Sequence, residues 1–264
     1  MSKKEELKLS VSKTKTFIDC KAKFNYSYNL KLPKKEWDFH ILGKFCHKVL
    51  EDFHITYING SDAPYNVTMS EAFKNAVTEY KNSMTPEMKK ECWGLINQYL
   101  RIVSDDKKNN LSANVLACEK NFQLLIEGNI LLNGMIDRIQ LDSDNVIHVA
   151  DYKTTKNKKY LKEDWFQLLT YAYYIITVER PDVDVVRGSY ILLRHDFEYI
   201  TKEFTRDEIL SVAGKYIEYA KQIRSEKIFE PNPTFLCNYC DFLEHCQEGK
   251  QKVSPQNVFG EVKW

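Results

Sequence analysis

Glycine and proline are scarce in this chain, nine and seven among 264 residues. So few breakers argue against collagen-like sequence, internal repeats and long flexible linkers. No run of about twenty apolar residues occurs, so no transmembrane helix is expected. The opening MSKKEELKLS carries lysines but no apolar stretch or cleavage site, and does not read as a secretory signal. A charge surplus is missing too. Thirty-eight basic side chains against 37 acidic leave a formal +1, which excludes a uniformly basic nucleic-acid coat and leaves a local basic groove open. No G-x4-G-K-[ST] loop is found, so no helicase-type nucleotide site is expected. What is present is 43% hydrophobic and 28% charged residues. That composition supports a packed core and excludes general disorder, on a length that suits one large domain or two small ones.

Cysteine is the residue type that stands out. Seven is odd, so a complete intrachain disulfide set is excluded, and an intracellular, reduced protein is expected. Cys46, Cys92 and Cys118 sit singly in periodic apolar segments and read as small core residues. Cys237, Cys240 and Cys246 lie within CNYCDFLEHC, three thiols in ten residues. C-x2-C places two sulfurs on one ion or cluster, and the third is within reach. A tetrahedral metal or a four-thiolate cluster then lacks one ligand, for which Cys20 and the local His245 compete.

Along the chain, Ser12 reads as the N-cap of a short helix ending near Cys20, with Phe17 and Phe24 as packing residues. Leu42, Phe45, Cys46, Val49, Leu50 and Phe53 follow helical spacing. Further helices are expected over 70–80 and from Pro86 to Ile102. The period then changes. Strands are expected over 115–126, 129–141 and 146–152, joined at Glu127-Gly128-Asn129 and at 142–145. A lysine-rich loop follows, with Lys156, Lys158 and Lys159 as candidates for a DNA backbone, although such loops are commonly just solvated. A buried helix over 164–178, strands over 184–193 and 198–204, and a polar helix over 206–224 precede the cysteine segment.

Two strand ends carry the chemistry. Asp137 interrupts an apolar strand in NGMIDRI. Asp151 and Lys153, in HVADYKT, share a strand face because side chains alternate with period two. If the two strands pair antiparallel, Asp137 approaches Asp151. Two converging carboxylates repel unless one keeps a proton or a cation lies between them, and hard Mg²⁺ or Mn²⁺ prefers such oxygens. A surface ion pair would give the same D-x-K pattern, so these residues alone do not decide.

Their company does. LSVSKTKTFIDC, then Gly43, His47, Leu50 and Glu51 as G-x3-H-x2-L-E, NGMIDRI, VADYKT, Gln167 and Tyr171 as Q-x3-Y, and the final C-x2-C-x5-C occur in this order over residues 9–246. In this pattern the sequence resembles the PD-(D/E)XK nuclease superfamily, in its branch of RecB-type domains and four-cysteine CRISPR-associated exonucleases. The resemblance implies an α/β restriction-endonuclease-like core, a mixed central sheet flanked by helices. It places the helical part at about 39–104 and the core at about 111–204, in a single domain over 1–246 with a tail at 247–264. It implies that Asp137, Asp151, His47 and the Tyr152 carbonyl hold Mg²⁺ or Mn²⁺, with Lys153, Gln167 and Tyr171 completing the catalytic set. Helical arithmetic independently puts His47 roughly 130° from the centre of its helix's apolar stripe, away from the core. Gly43, one turn earlier, is expected to leave room above the imidazole. Glu119 is similar to an acidic position in some relatives and ranks last.

The resemblance further implies a [4Fe–4S] cluster on Cys20, Cys237, Cys240 and Cys246, with Zn²⁺ as the alternative. The function it implies is a metal-dependent deoxyribonuclease, an exonuclease on single strands or DNA ends. Recombination, repair, phage replication and CRISPR adaptation are all served by such proteins, with a helicase, integrase or recombination partner. The competing reading is a DNA-binding or assembly subunit whose nuclease fold and cluster are structural. A cytoplasmic protein with no membrane association, phage- or mobile-element-encoded in one variant, is expected.

Overall fold

The computed structural model describes residues 5–105, 114–158 and 164–253. In chain order it contains β1 (Leu7–Leu9), α1 (Val11–Asp19), α2 (Lys21–Phe24), α3 (Asp38–Ile58), α4 (Tyr65–Glu79), α5 (Pro86–Asp105), β2 (Val115–Ile126), β3 (Ile130–Leu141), β4 (Ile147–Lys153), α6 (Phe166–Tyr174), β5 (Val185–Leu192), β6 (Glu198–Thr205), α7 (Arg206–Ser225) and α8 (Gln247–Lys252). The chain divides into two compact units. The larger comprises Trp37–Leu124 and Asn133–Gly214; the smaller comprises Met1–Glu36, Leu125–Leu132 and Lys215–Trp264.

In the larger unit the sheet is mixed. β3 and β4 are antiparallel, β4 and β5 parallel, β5 and β6 antiparallel, and β2 pairs with β3. A parallel pair needs a crossover, and α6 lies between β4 and β5 in the chain. The mixed sheet flanked by helices agrees with the expected fold class. The expected stripe on α3 is buried from Leu42 to Phe53 and forms one core with Met88, Cys92, Ile96, Tyr99 and Val103 of α5. Those α5 positions recur every three or four residues, as one helix face requires. Pro86 opens α5, where its missing N–H is harmless, and the Thr85 hydroxyl accepts the Met88 N–H at 3.2 Å. α4 starts earlier than expected, at Tyr65 directly after Pro64. α6 is buried nearly all round and continues as a wide π turn to Glu179.

β2 and β3 form the expected hairpin. Between them Gly128 (φ 82°) and Asn129 (φ 56°) both occupy the left-handed region that tight hairpin turns use.

In the smaller unit, β1 pairs in parallel with Ile130–Leu132. The Arg224 guanidinium donates to the carbonyls of Glu5, Gly128 and Asn129 and so ties β1 to the hairpin turn. Ser10, not Ser12, caps α1: its hydroxyl accepts the Lys13 N–H at 3.2 Å, so the helix begins two residues early. Phe24 packs edge-on to Phe17 and stacks on Phe229. The segment expected to be a tail opens as α8. None of the described helices is long and apolar enough to cross a membrane.

Candidate active site

The β3–β4 ladder runs from Leu141 opposite Ile147 to Arg138 opposite Ala150. One residue further Asp137 turns its carboxylate on the neighbouring strand, and its Oδ2 accepts the Tyr152 N–H at 2.8 Å. Asp151 and Lys153 share a face of β4, and Lys153 Nζ lies 2.6 Å from Asp151 Oδ2. Lys153 is thus the charged partner of this buried oxygen. The other oxygen, Oδ1, accepts from Gln167 Nε2 and, at 3.3 Å, from the Tyr171 hydroxyl. Gln167 closes the set by accepting from Lys153 Nζ through Oε1 at 3.1 Å. As i, i+4 neighbours on α6, Gln167 and Tyr171 also bond each other at 2.7 Å.

His47 comes from α3. A Cβ added to Gly43 would stand 3.4 Å from Thr154 Oγ1, an ordinary van der Waals contact. His47 Nε2 lies 3.2 Å from the Tyr152 carbonyl, and Nδ1 lies 3.4 Å from Glu119 Oε1 and 3.5 Å from Asp137 Oδ2. Among the described residues, His47, Glu119 and Asp137 form the group of three such side chains whose donor atoms all lie within 4.8 Å.

Glu119, ranked last in the sequence, is therefore one of the three side chains grouped here. Its φ of 46° is in the left-handed region, uncommon for a residue with a side chain. The buried positions of β2 also change parity across it, from Val115 to Phe122. A bulge at Glu119 accounts for both, since one extra residue re-aims the side chain. Its neighbour Cys118 is half-buried rather than a core residue, unlike Cys46 and Cys92, and burial pushes its thiol up to about 12.

The electrostatics follow from crowding four ionisable groups. Burial opposes charging His47, but the hydrogen bond to Glu119 and the charges of Asp137 and Asp151 prevail and raise it to about 9. Burial, then repulsion from Asp151, holds Asp137 well above the usual carboxylate range, against the pull of His47. The carboxylate oxygens of Glu119 and Asp137, with one imidazole, suit a divalent ion such as Mg²⁺ or Mn²⁺.

The sequence model of the PD-(D/E)XK nuclease superfamily matches residues 8–247. The chain belongs to this superfamily. The B subunit of an ATP-dependent helicase/deoxyribonuclease from Streptococcus pyogenes serotype M1 is 25% identical over 291 aligned positions, covering 97% of this chain. Its counterpart from serotype M49 gives the same identity and coverage. The chain spans 27% of the length of these curated relatives. A solved structure from Eubacterium rectale, named as a candidate exonuclease, superposes with a TM-score of 0.50 at 12% identity, over 96% of this chain and 93% of that one. This likeness concerns the fold.

In this member of the superfamily the four thiols singled out in the sequence are gathered in the smaller unit. Cys20, Cys237, Cys240 and Cys246 line one small pocket with Lys23 and Tyr26, and His245 is not among its lining residues. Cys20 Sγ accepts N–H groups from Lys23 and Asn232, and Cys246 Sγ accepts one from Gly249. Burial raises the thiols of Cys240 and Cys246, and the neighbouring cysteines add to the rise. In the lysine loop Lys158 pairs with Glu198, Lys156 is exposed, and Lys159 lies outside the described residues.

Arg138 was overlooked in the sequence. It is fully buried one residue from Asp137, where its guanidinium donates to the hydroxyls of Tyr99 and Tyr152, both at 3.3 Å, and of Tyr199 at 2.7 Å. Tyr152 therefore faces two ways: its main chain meets Asp137 and His47, and its ring is held by Arg138. The available signal was a charge inside an otherwise buried strand.

Proposed function

We propose that this nuclease is a divalent-metal-dependent deoxyribonuclease that acts as an exonuclease on single-stranded DNA or DNA ends. The gathering of His47, Glu119 and Asp137 beside the Tyr152 carbonyl carries the reading. These groups and Asp151 would hold Mg²⁺ or Mn²⁺, with His47 giving up its proton. A bound ion of this kind supplies a Lewis acid and an activated water for phosphodiester hydrolysis. Lys153, held between Asp151 and Gln167, offsets negative charge that builds on the phosphoryl oxygens. Gln167 and Tyr171 position Asp151 through its Oδ1. The Streptococcus relatives, helicase/deoxyribonuclease B subunits by name, support DNA as substrate and a helicase as partner.

The four-thiol pocket, with an ammonium on its wall and N–H donors on two sulfurs, suits an anionic [4Fe–4S] cluster. A tetrahedral zinc, at Zn–S about 2.3 Å, would hold its sulfurs about 3.8 Å apart. No three of these thiols come within 4.8 Å of one another as a set.

The test is cleavage of end-labelled single-stranded DNA with Mn²⁺, with Mg²⁺ and with EDTA. Lys153→Ala is expected to keep binding DNA and to lose roughly a hundredfold or more in rate. Asp151→Ala cutting as fast as wild type would overturn the site. Binding without cleavage under every metal would select an assembly subunit instead.

A further inference from the structure

Charge is distributed unevenly in this nearly neutral chain. Between Lys8 and Lys35 stand eight lysines and one acid, Asp19, so the remainder is net acidic against an overall +1. The segment contains β1, α1, α2 and the π turn Asn25–Asn29, all within the smaller unit. Two of its lysines converge on one ring. Lys13 Nζ lies 5.2 Å and Lys34 Nζ 5.3 Å from the Tyr28 centroid. Lys13 also reaches the Phe24 ring at 5.8 Å and donates to the Lys8 carbonyl at 2.9 Å. Neither lysine forms an ion pair with a carboxylate among the described residues, whereas Lys21, in the same segment, is paired with Glu226. Lys13 is half-buried, and loss of hydration alone lowers its affinity for a proton. A partly desolvated ammonium without an acid is costly unless an anion from outside completes it.

We propose that Lys13, Lys34 and Tyr28 form a binding surface for the phosphodiester backbone of the DNA strand. This rests on the deoxyribonuclease reading and adds a second contact region outside the active site. The two ammoniums are within about 10.5 Å of each other, since both sit on one ring. Both can therefore reach phosphates of the same strand. Cations interleaved with an aromatic ring match a strand that alternates phosphates and planar bases, as in sequence-tolerant single-strand grooves. An acidic peptide offers the charge without the planar groups.

The experiment is fluorescence anisotropy of a labelled oligo(dT) of about twenty nucleotides in EDTA, over a range of salt. Each phosphate contact on a single strand contributes about 0.7 to the slope of log affinity against log salt. The Lys13→Gln/Lys34→Gln variant is therefore expected to bind about 25-fold more weakly near 0.1 M salt, with a slope shallower by about 1.4. Lys34→Glu, at an exposed position, is expected to weaken binding at least as much as removal of one contact, with an unchanged melting curve as the folding control. Wild-type affinity and slope in both variants would overturn the proposal. So would competition by poly-aspartate as effective as that by unlabelled oligo(dT), which would point to an acidic protein. Wild type that binds oligo(dT) but never cleaves it would sink the nuclease reading and leave this surface standing. Cleavage by wild type with unchanged binding by the variants would sink the surface alone.

Discussion

Glu119 and Asp151 illustrate how one residue's backbone or neighbours set its chemistry. Glu119 keeps a left-handed φ of 46° that costs of order 1–3 kcal/mol, and its carboxylate reaches His47. If it is a metal donor, Glu119→Gln preserves shape and removes charge. The expected outcome is a rise of roughly tenfold or more in the Mn²⁺ concentration for half-maximal cleavage, with similar affinity for DNA. A metal titration that superimposes on wild type would remove Glu119 from the ligand set. Asp137, Asp151, Lys153 and His47 were legible because their residue types recur at motif spacing. Glu119 was not, because a bulge has no signature of its own: in sequence it is one acid near the start of a strand. Arg138 escaped notice for a related reason, since tyrosines from three other elements are what make its burial tolerable.

Within the β2–β3 hairpin, close approach sets the limits. A Cβ on Gly134 would stand 2.7 Å from the Phe122 ring. That ring cannot swing freely, because it stacks on Tyr174 at 4.9 Å and meets Tyr171 at 6.3 Å. Gly134→Ala is accordingly expected to destabilise by about 1–3 kcal/mol, the usual range for overpacking. It should also slow cleavage, since Tyr171 holds Asp151. Adding Phe122→Leu is expected to restore part of both losses, and a double-mutant cycle on melting and rate measures the coupling. A variant as stable and as active as wild type would show that the ring yields without consequence. The hairpin itself was readable from Glu127-Gly128-Asn129, and α3 from its apolar stripe. The three-residue β1 was not, because its partner Ile130–Leu132 lies more than a hundred residues away and nothing local marks it.

At the scale of the whole molecule, the chain closes on itself through cysteine: Cys20 shares a pocket with Cys237, Cys240 and Cys246. A cluster there would restrain a loop of more than two hundred residues, and cross-links over long loops stabilise chiefly by restricting the unfolded chain. Anaerobically purified protein is expected to be brown and to absorb near about 400 nm. Cys20→Ser is expected to bleach it and lower its melting temperature, by about 2–4 °C for each kcal/mol lost in a chain of this size. Colourless wild-type protein carrying one zinc would refute the cluster. Sequence alone pointed to the superfamily, to the order of the longer helices and strands and to six side chains of the candidate site, because periodicity and motif spacing are local properties of the chain. Tertiary structure decided that Glu119 joins His47 and Asp137, that Arg138 holds Tyr152 from within the core, and that Lys13 and Lys34 meet over Tyr28. Each depends on a bulge, a buried network or a chain reversal, and such contacts arise only when distant segments pack.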